Sequence, residues 1–337
     1  MNILHVGKYY DPIKGGIESV TQVICENVIH KSLKIKVLCF SDQNSIEIIN
    51  GIEVIRCKTI FTLFSQPFSF SYLKFILFNK SSFDLYHLHW PNILCLVFLF
   101  LNKKYLIHHH SDVVDKPFFY LLLPLVKRFY IKSSLNIATS ENYLNHSHEL
   151  SYGRLNEVLP LFINSERLFL QRKLSKEINI LSVGRLVSYK DHLTLIKSLE
   201  YLPENYKITL IGSGPLEKKL NKLINKKKYI NRINIFKNIS NADLEKMYIN
   251  ADIFVLASNN KAEAFGVVLL EAMSFSLPLI TANIRDSGVT FVNDDLNTGR
   301  WFKKGCSIDL AEKIRLITED DNTYNNYSLN SYNRLHD

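Results

Sequence analysis

The feature that most constrains the fold of this chain is an alternation of short apolar runs with longer segments of helical period, sustained along nearly its whole length. In the first half the runs read as strands near 2–6, 35–40, 52–57, 84–88, 104–107, 135–139 and 155–159. Helical patterns fall between several of them, at about 17–31, 91–102, 117–132 and 141–149. In the second half strands are expected near 178–183, 206–211, 232–236, 252–256 and 277–281, and helices near 191–200, 215–227, 241–249, 264–275 and 308–317. Short apolar strands separated by helices are the pattern of parallel sheets covered on both faces, because each crossover helix lays its apolar side on the sheet. Two such series predict an α/β chain of two doubly wound, Rossmann-like domains facing a cleft. The length of 337 residues agrees, being more than one core ordinarily organises. The polar, basic stretch from Asn164 to Ile178 has neither period and reads as the linker, giving domains 1–165 and 166–337.

Charge narrows the chemistry only slightly. Lys and Arg outnumber Asp and Glu by 41 to 32, which suits a phosphorylated substrate or an anionic membrane surface, and equally a solvated basic exterior. Cys25, Cys39, Cys57, Cys95 and Cys306 form no CxxC pair and no zinc spacing, and read as small residues in a reducing compartment. The N-terminus opens directly on a strand, and the apolar run Ile93–Leu101 is too short to cross a bilayer as a helix. A cytoplasmic protein is expected, with peripheral contact at the inner face of the cell membrane.

Ligands of open parallel sheets bind beyond the carboxyl ends of the strands, so the candidate residues are sought there. Val183-Gly184-Arg185-Leu186 leads to Lys190, and two cations at one strand end suit a diphosphate that must be neutralised as it leaves. A basic loop without a ligand has the same sequence. In Ile211-Gly212-Ser213-Gly214-Pro215, Gly212 and Gly214 would let backbone N–H groups approach an anion, although glycine turns between strand and helix are common without one. Glu263-Ala264-Phe265-Gly266-Val267 runs into an apolar helix that carries Glu271. A carboxylate in such a helix needs partners, and either ribose hydroxyls or a Lys or Arg would serve. Glu263 stands at the helix start beside the N–H groups of Phe265 and Gly266, a place for a sugar hydroxyl or phosphate, or simply a carboxylate favoured by the helix dipole. In the first half, Lys14-Gly15-Gly16 opens a helix after the first strand and offers a phosphate-sized nest. His87 and His89 end one strand, and His108-His109-His110 end the next. Three consecutive strand residues alternate faces and cannot share one ion, so no metal is expected and His110 is read as a sugar or acceptor contact. There is no Asp-x-Asp and no P-loop, so cations and helix N-termini are expected to replace a divalent ion on the diphosphate.

From Met1 to about Ile317 the chain resembles the retaining glycosyltransferases of family four, which have the GT-B fold. The resemblance rests on Glu-Ala-Phe-Gly-Val-Val-Leu-Leu-Glu-Ala-Met (263–273), Val-Gly-Arg-Leu with Lys190 five residues after Arg185, Gly-Ser-Gly-Pro-Leu and Ala-Asp-Ile-Phe-Val-Leu, all in family order. His-Leu-His-Trp-Pro-Asn, His-Ser-Asp-Val-Val, Ala-Thr-Ser-Glu-Asn-Tyr and Ser287-Gly288-Val289 are similar to members that build bacterial surface polysaccharides. The resemblance implies hexosyl transfer, with retention, from a nucleotide diphosphate sugar to a glycan or polyprenyl-diphosphate-linked acceptor in capsule or O-antigen assembly. It implies front-face substitution, in which the leaving diphosphate helps to deprotonate the acceptor. Arg185 and Lys190 would grip the diphosphate, Glu271 the ribose, and Glu263 would face the sugar. Gly16 would approach the phosphate or the acceptor, and His110 the sugar. Gly184, Phe265 and Val267 complete the donor-binding set. No cofactor and no nucleic acid are expected. Where the family often has Gly, this chain has Phe162, Asp191, Asn238 and Ser276, and Ala257 stands where Pro is usual. Many relatives continue into a helix crossing back over the first domain, and here that crossover is expected to be short or missing. Two alternatives stay open: a catalytically dead homologue serving as a partner subunit, and a GT-B-fold sugar-nucleotide epimerase.

A lipid-linked acceptor also implies a basic, aromatic face on the first domain. The candidates are Phe61, Phe64, Phe68, Phe70, Tyr72, Phe75 and Phe78 with Lys74 and Lys80, and Lys116 to Lys132 with Lys127 and Arg128. The same aromatics could instead fill the domain core.

Overall fold

In a computed structural model, which describes residues 1–13, 15–28, 33–113 and 117–337, the alternation resolves into two separate parallel sheets. The chain divides into Met1–Ile163 and Asn164–Asp337. In the first unit the strands are β1 (Asn2–Val6), β2 (Lys34–Ser41), β3 (Ser45–Ile49), β4 (Ile52–Lys58), β5 (Phe61–Leu63), β6 (Gln66–Phe68), β7 (Leu85–Trp90), β8 (Tyr105–His109), β9 (Leu135–Ala138) and β10 (Asn156–Val158). Its helices are α1 (Gly16–Val28), α2 (Phe70–Phe78), α3 (Pro117–Lys132) and α4 (Glu141–His146). The sheet runs β10-β9-β8-β7-β1-β2-β4-β3, parallel throughout except for the β3–β4 hairpin. The second unit has β11 (Ile178–Val183), β12 (Tyr206–Ile211), β13 (Ile233–Phe236), β14 (Ile253–Leu256), β15 (Leu279–Ala282) and β16 (Gly299–Phe302). With them come α5 (His192–Ser198), α6 (Glu217–Lys226), α7 (Asn241–Asn250), α8 (Val267–Ser274), α9 (Val289–Val292), α10 (Ser307–Ile317) and α11 (Asp321–His336). Its order, β13-β12-β11-β14-β15-β16, is wholly parallel.

Both sheets reverse direction once. The chain steps outward from β1 to β2 on one side and resumes at β7 on the other, and it does the same from β11 to β12 and then β14. At such a switch point the connections leave in opposite directions and open a crevice at the strand ends. Chemistry is therefore sought after β1 and β7 in the first unit and after β11 and β14 in the second.

Several elements differ from the sequence expectation, each for a local reason. β3 and β4 are joined by Asn50-Gly51, both at positive φ (49° and 81°), a dipeptide suited to a tight hairpin that the strand reading passed over. The segment expected as a helix at 91–102 is a 3₁₀ helix, Ile93–Leu99; Leu94, Cys95, Leu96, Phe98 and Leu99 are all buried, so packing rather than propensity sets its form. α11 is rich in Asn, Ser and Tyr, which are weak helix formers. It is held by tertiary bonds: the hydroxyls of Ser328 and Ser331 donate to the carbonyls of Ser276 and Leu277, each at 2.7 Å, and Tyr324 donates to Asp252 O at 2.9 Å. Asp191, Asn238 and Ser276, three of the positions where the family often has Gly, all have left-handed backbone (φ 47°, 50° and 57°). The family glycine thus matches a conformation that this chain keeps with a side chain attached. Lys14, Lys116 and the end of the expected 17–31 helix lie outside the described residues.

The stretch read as linker carries an anchor. Arg172 is buried and donates to Phe275 O (2.8 Å), Ala251 O (2.5 Å), Tyr248 O (3.0 Å) and Ile249 O (3.3 Å). These carbonyls lie at the C-terminal ends of α7 and α8, where intrahelical partners run out and the dipole is negative. Burial pulls the guanidinium below its usual pKa. Arg172→Ala would strand four carbonyls at once and is expected to cost about 3 kcal/mol or more, read as a lower urea midpoint at unchanged slope. A midpoint equal to the parent's would mean that water replaces the guanidinium.

Candidate active site

The second unit gathers most of the sequence-selected residues at its switch point. Arg185 and Lys190 follow β11, while Glu263 and the α8 residues follow β14, the neighbouring strand. A short 3₁₀ turn at Ser188–Lys190 brings Lys190 back over the strand end, where it is buried and its ammonium contacts Glu263 Oε2. Ser258 donates to the same carboxylate oxygen at 2.7 Å. Asn259 N–H donates to Tyr189 O at 2.8 Å, closing the loop after β14 against the loop after β11. Glu263 is fixed from a third side, because the Ser287 hydroxyl donates to its carbonyl and Gly288 N–H donates to Ala264 O at 2.7 Å. An ammonium has three donors, so pairing with Glu263 leaves Lys190 with N–H groups for a further anion. Arg185 is exposed, its Nη2 lying 3.4 Å from the Tyr189 hydroxyl.

The glycines have distinct jobs. Gly184 and Gly212 end adjacent strands, and a Cβ on Gly212 would sit 2.0 Å from Gly184 O. Gly212 also donates its own N–H to Phe236 O at 2.9 Å. Its first role is therefore close packing of two strand ends, and that N–H is not free for an anion as the loop alone suggested. Leu186 N–H donates to Ser213 O (2.9 Å) and Leu216 N–H to Leu186 O (3.0 Å), so the Gly212–Gly214 loop is zipped onto the Arg185 loop. α6 starts at Glu217, two residues beyond the Pro215 start expected from sequence. Gly266 caps α8 at φ 83°, a left-handed conformation that turns the chain from Phe265 into the helix. Phe265 and Val267 are buried, which leaves their backbone as what they can offer a ligand.

Glu271 is half-buried and accepts a hydrogen bond from the Tyr248 hydroxyl at 2.8 Å. Neither partner weighed from sequence was a tyrosine. Tyr248 lies on α7, where nothing in the local pattern singles it out; burial and the neighbouring Glu271 raise its pKa. Ser258 and Ser287 were likewise missed as partners of Glu263.

Gly16 and His110 lie in the first unit. Gly16 is exposed in the first turn of α1, just after β1. His110 follows β8, with its N–H donating to Trp90 O at 3.0 Å. The expected alternation of faces is observed. His108 and His110 lie with His87, His89 and His5, whereas His109 faces the other way, with Nδ1 2.6 Å from the Tyr130 hydroxyl and Nε2 3.2 Å from Asp112 Oδ1. On that opposite face Glu149 accepts from Trp90 Nε1 (2.5 Å) and Val113 N–H (2.9 Å), and burial pushes its carboxyl up to about 7. The histidine face is buried. Burial, with lesser repulsion from neighbouring histidines, holds His87, His89 and His110 well below the ordinary value, and lowers His5 to about 4 and His108 to about 3.

Residues 165–334 match the sequence profile of the glycosyl transferases group 1. The chain belongs to that family. This glycosyltransferase is 28% identical over 359 residues to the O-antigen chain mannosyltransferase C of Escherichia coli, spanning 99% of this chain and 93% of that one. It is 23% identical over 287 residues (81% of this chain, 76% of the other) to an α-1,4-N-acetyl-D-galactosaminyltransferase of Campylobacter jejuni, whose name specifies an acceptor on diNAcBac-PP-undecaprenol. Among solved structures it is similar to HepE of Anabaena, determined in complex with UDP-glucose, with a TM-score of 0.77 at 18% identity over 99% of this chain and 94% of that one. The fold of this glycosyltransferase is GT-B, as the family resemblance implied, and the two doubly wound sheets expected from the alternation of strands and helices agree with it.

Proposed function

We propose that this glycosyltransferase moves a hexose, with retention, from a nucleotide diphosphate sugar to a glycan or polyprenyl-diphosphate-linked acceptor during surface-polysaccharide assembly. The observation that carries the reading is the contact of Lys190 with Glu263 where the chain leaves the two strands that flank the switch point of the second unit, with Arg185 on the same loop as Lys190 and Glu271 on the helix that follows Glu263. Arg185 and the spare donors of Lys190 neutralise the leaving diphosphate, Glu263 faces the sugar and Glu271 holds the ribose. The leaving diphosphate takes the acceptor proton on the front face. The HepE complex and the two relatives support the donor class and the acceptor class respectively. A thermal-shift panel of UDP-, GDP- and dTDP-sugars tests it: one donor at 100 times its Kd should stabilise the fold by about 2.7 kcal/mol, and no shift with any of them would sink the donor reading. Because side chains supply the positive charge, chelator-treated enzyme should turn over at the same rate, within about twofold, with or without added Mg²⁺ or Mn²⁺. Absolute dependence on either ion would contradict this assignment.

The first unit carries the membrane side of the reading. Ile60, Phe61, Leu63, Phe64, Phe70 and Phe78 are all more than half exposed on the β5–β6 hairpin and α2, with exposed Lys74 and Lys80 beside them. Tyr72 is fully buried and Phe68 and Phe75 partly so; these serve the core, and the exposed six form the face. On α3, Lys127, Arg128 and Lys132 are exposed. Among the described residues no helix is long and apolar enough to cross a membrane. Aromatic and basic side chains together suit the anionic interface, each cation adding about 1 kcal/mol. Co-sedimentation with liposomes should rise with the anionic lipid fraction and fall with salt. Protein left in the supernatant with strongly anionic liposomes at low salt would exclude the face.

A further inference from the structure

The histidine face of the first unit holds a hydrogen-bonded chain that ends at His110. Parallel neighbours in register share a face: His5 pairs with His87, and His89 with His108. Along this face His5 Nδ1 lies 3.1 Å from His89 Nε2, and His89 Nδ1 lies 3.0 Å from His110 Nε2. Thr21, on α1, places its hydroxyl 3.3 Å from the same His89 Nδ1. His110 is buried, and its Nδ1 has no hydrogen-bond partner among the described residues.

The proton positions follow from one bond. The Thr21 hydroxyl donates to Ile17 O at 2.8 Å, as a helical threonine does one turn back. Its proton spent, Thr21 can only accept from His89, which assigns the proton to His89 Nδ1, shared between the Thr21 hydroxyl at 3.3 Å and the closer His110 Nε2 at 3.0 Å. His89 Nε2 is then bare and accepts from His5 Nδ1–H. His110 Nε2 must also be bare, because it faces the protonated His89 Nδ1. A neutral imidazole has one N–H, and in His110 it is therefore on Nδ1. A buried donor without an acceptor is destabilising, and a substrate oxygen would satisfy it.

We propose that Thr21 and His89 are positioning residues that lock His110 in its Nδ1–H tautomer, so that it meets the substrate as a hydrogen-bond donor to a neutral or anionic oxygen and not as a base. This rests on the reading of His110 as a substrate contact. The tautomer itself is independent of that reading and can be observed without any substrate.

The test is a long-range ¹H–¹⁵N spectrum of the full chain labelled with ¹⁵N-histidine, with His110→Gln used for assignment. His89 and His110 should both read as Nδ1–H. Thr21→Val, which keeps the shape and removes the acceptor, should give His110 a second, Nε2–H population. His110 protonated on Nε2 in the parent, or a spectrum unmoved by Thr21→Val, would overturn the relay. So would uptake of one Zn²⁺ that shifts the nitrogens of His89 and His110 together, since the cluster would then be a metal site. With the donor found in the thermal-shift panel, His89→Leu should lower kcat by about tenfold or more and change the donor KM by less than about twofold. His89→Asn, which keeps an N–H near the Nδ1 position, should restore both tautomer and rate. Expected tautomers with unaltered rates would overturn the positioning role, whereas a panel that yields no donor would count against the proposed function and leave the tautomer result standing.

Discussion

Lowering the pH from about 6.5 to about 5.5 should remove about 4 kcal/mol of stability from the first unit, about 5 lost at five buried histidines and about 1 regained as buried Glu149, raised to about 7, takes up a proton. His5, His87, His89, His108 and His110 are all held below the ordinary histidine value of 6.5 by burial. Among the described residues no carboxylate is named with them; the lesser contributions are other histidines. As the pH falls through the unfolded value, the unfolded chain takes up protons that the folded face refuses, so stability is full above about 6.5 and drains below it. Each histidine contributes about 1 kcal/mol over that unit of pH. His192 in the second unit, lowered to about 4 mainly by burial, adds a smaller loss there. Native-state hydrogen exchange across a pH series resolves the two units: β1, β7 and β8 should lose protection before β11 and β14. Equal protection in the first unit at both pH values would mean that the face is already protonated or is wet.

The second large effect is at the buried pair in the second unit. Lys190 and Glu263 have side-chain exposures of 9% and 11%, so Lys190→Met leaves a buried carboxylate whose remaining side-chain partner among the described residues is the Ser258 hydroxyl. Breaking one side of such a pair costs about 3–5 kcal/mol, and losing one preorganised cation from the diphosphate should cut turnover by about 10²- to 10³-fold. Arg185→Ala should lower turnover on the same scale with stability nearly unchanged, because that side chain is exposed. Adding Glu263→Gln to Lys190→Met should recover most of the stability and none of the turnover, which separates the structural and chemical roles of Lys190. Near-parental turnover in both Arg185→Ala and Lys190→Met would remove the diphosphate assignment. Full turnover in Lys190→Met alone would leave Lys190 as scaffolding for Glu263.

The amino-acid order alone set the class of fold, because a parallel strand buried on both faces must be apolar and its crossover here is a helix. That requirement is local, and it is met at β1, β2, β4, β7 and β11 to β14, all within a residue or two of the expected bounds. It also determined that Arg185, Lys190 and Glu263 stand at strand ends, since motif and strand are adjacent in the chain. Tertiary structure decided who pairs with whom. The Lys190–Glu263 contact joins loops that follow neighbouring strands, and Tyr248 reaches Glu271 from a different helix. Arg172 looked like a charge in a linker and is the cap of two helices. α11, with little intrinsic helical preference, exists because Ser276, Leu277 and Asp252 accept its hydroxyls. His5 gave no signal of its own, and register alone places it beside His87. A one-dimensional pattern reports what each segment must bury. The partner of a polar group depends on strand order and register, which are fixed only when the segments pack.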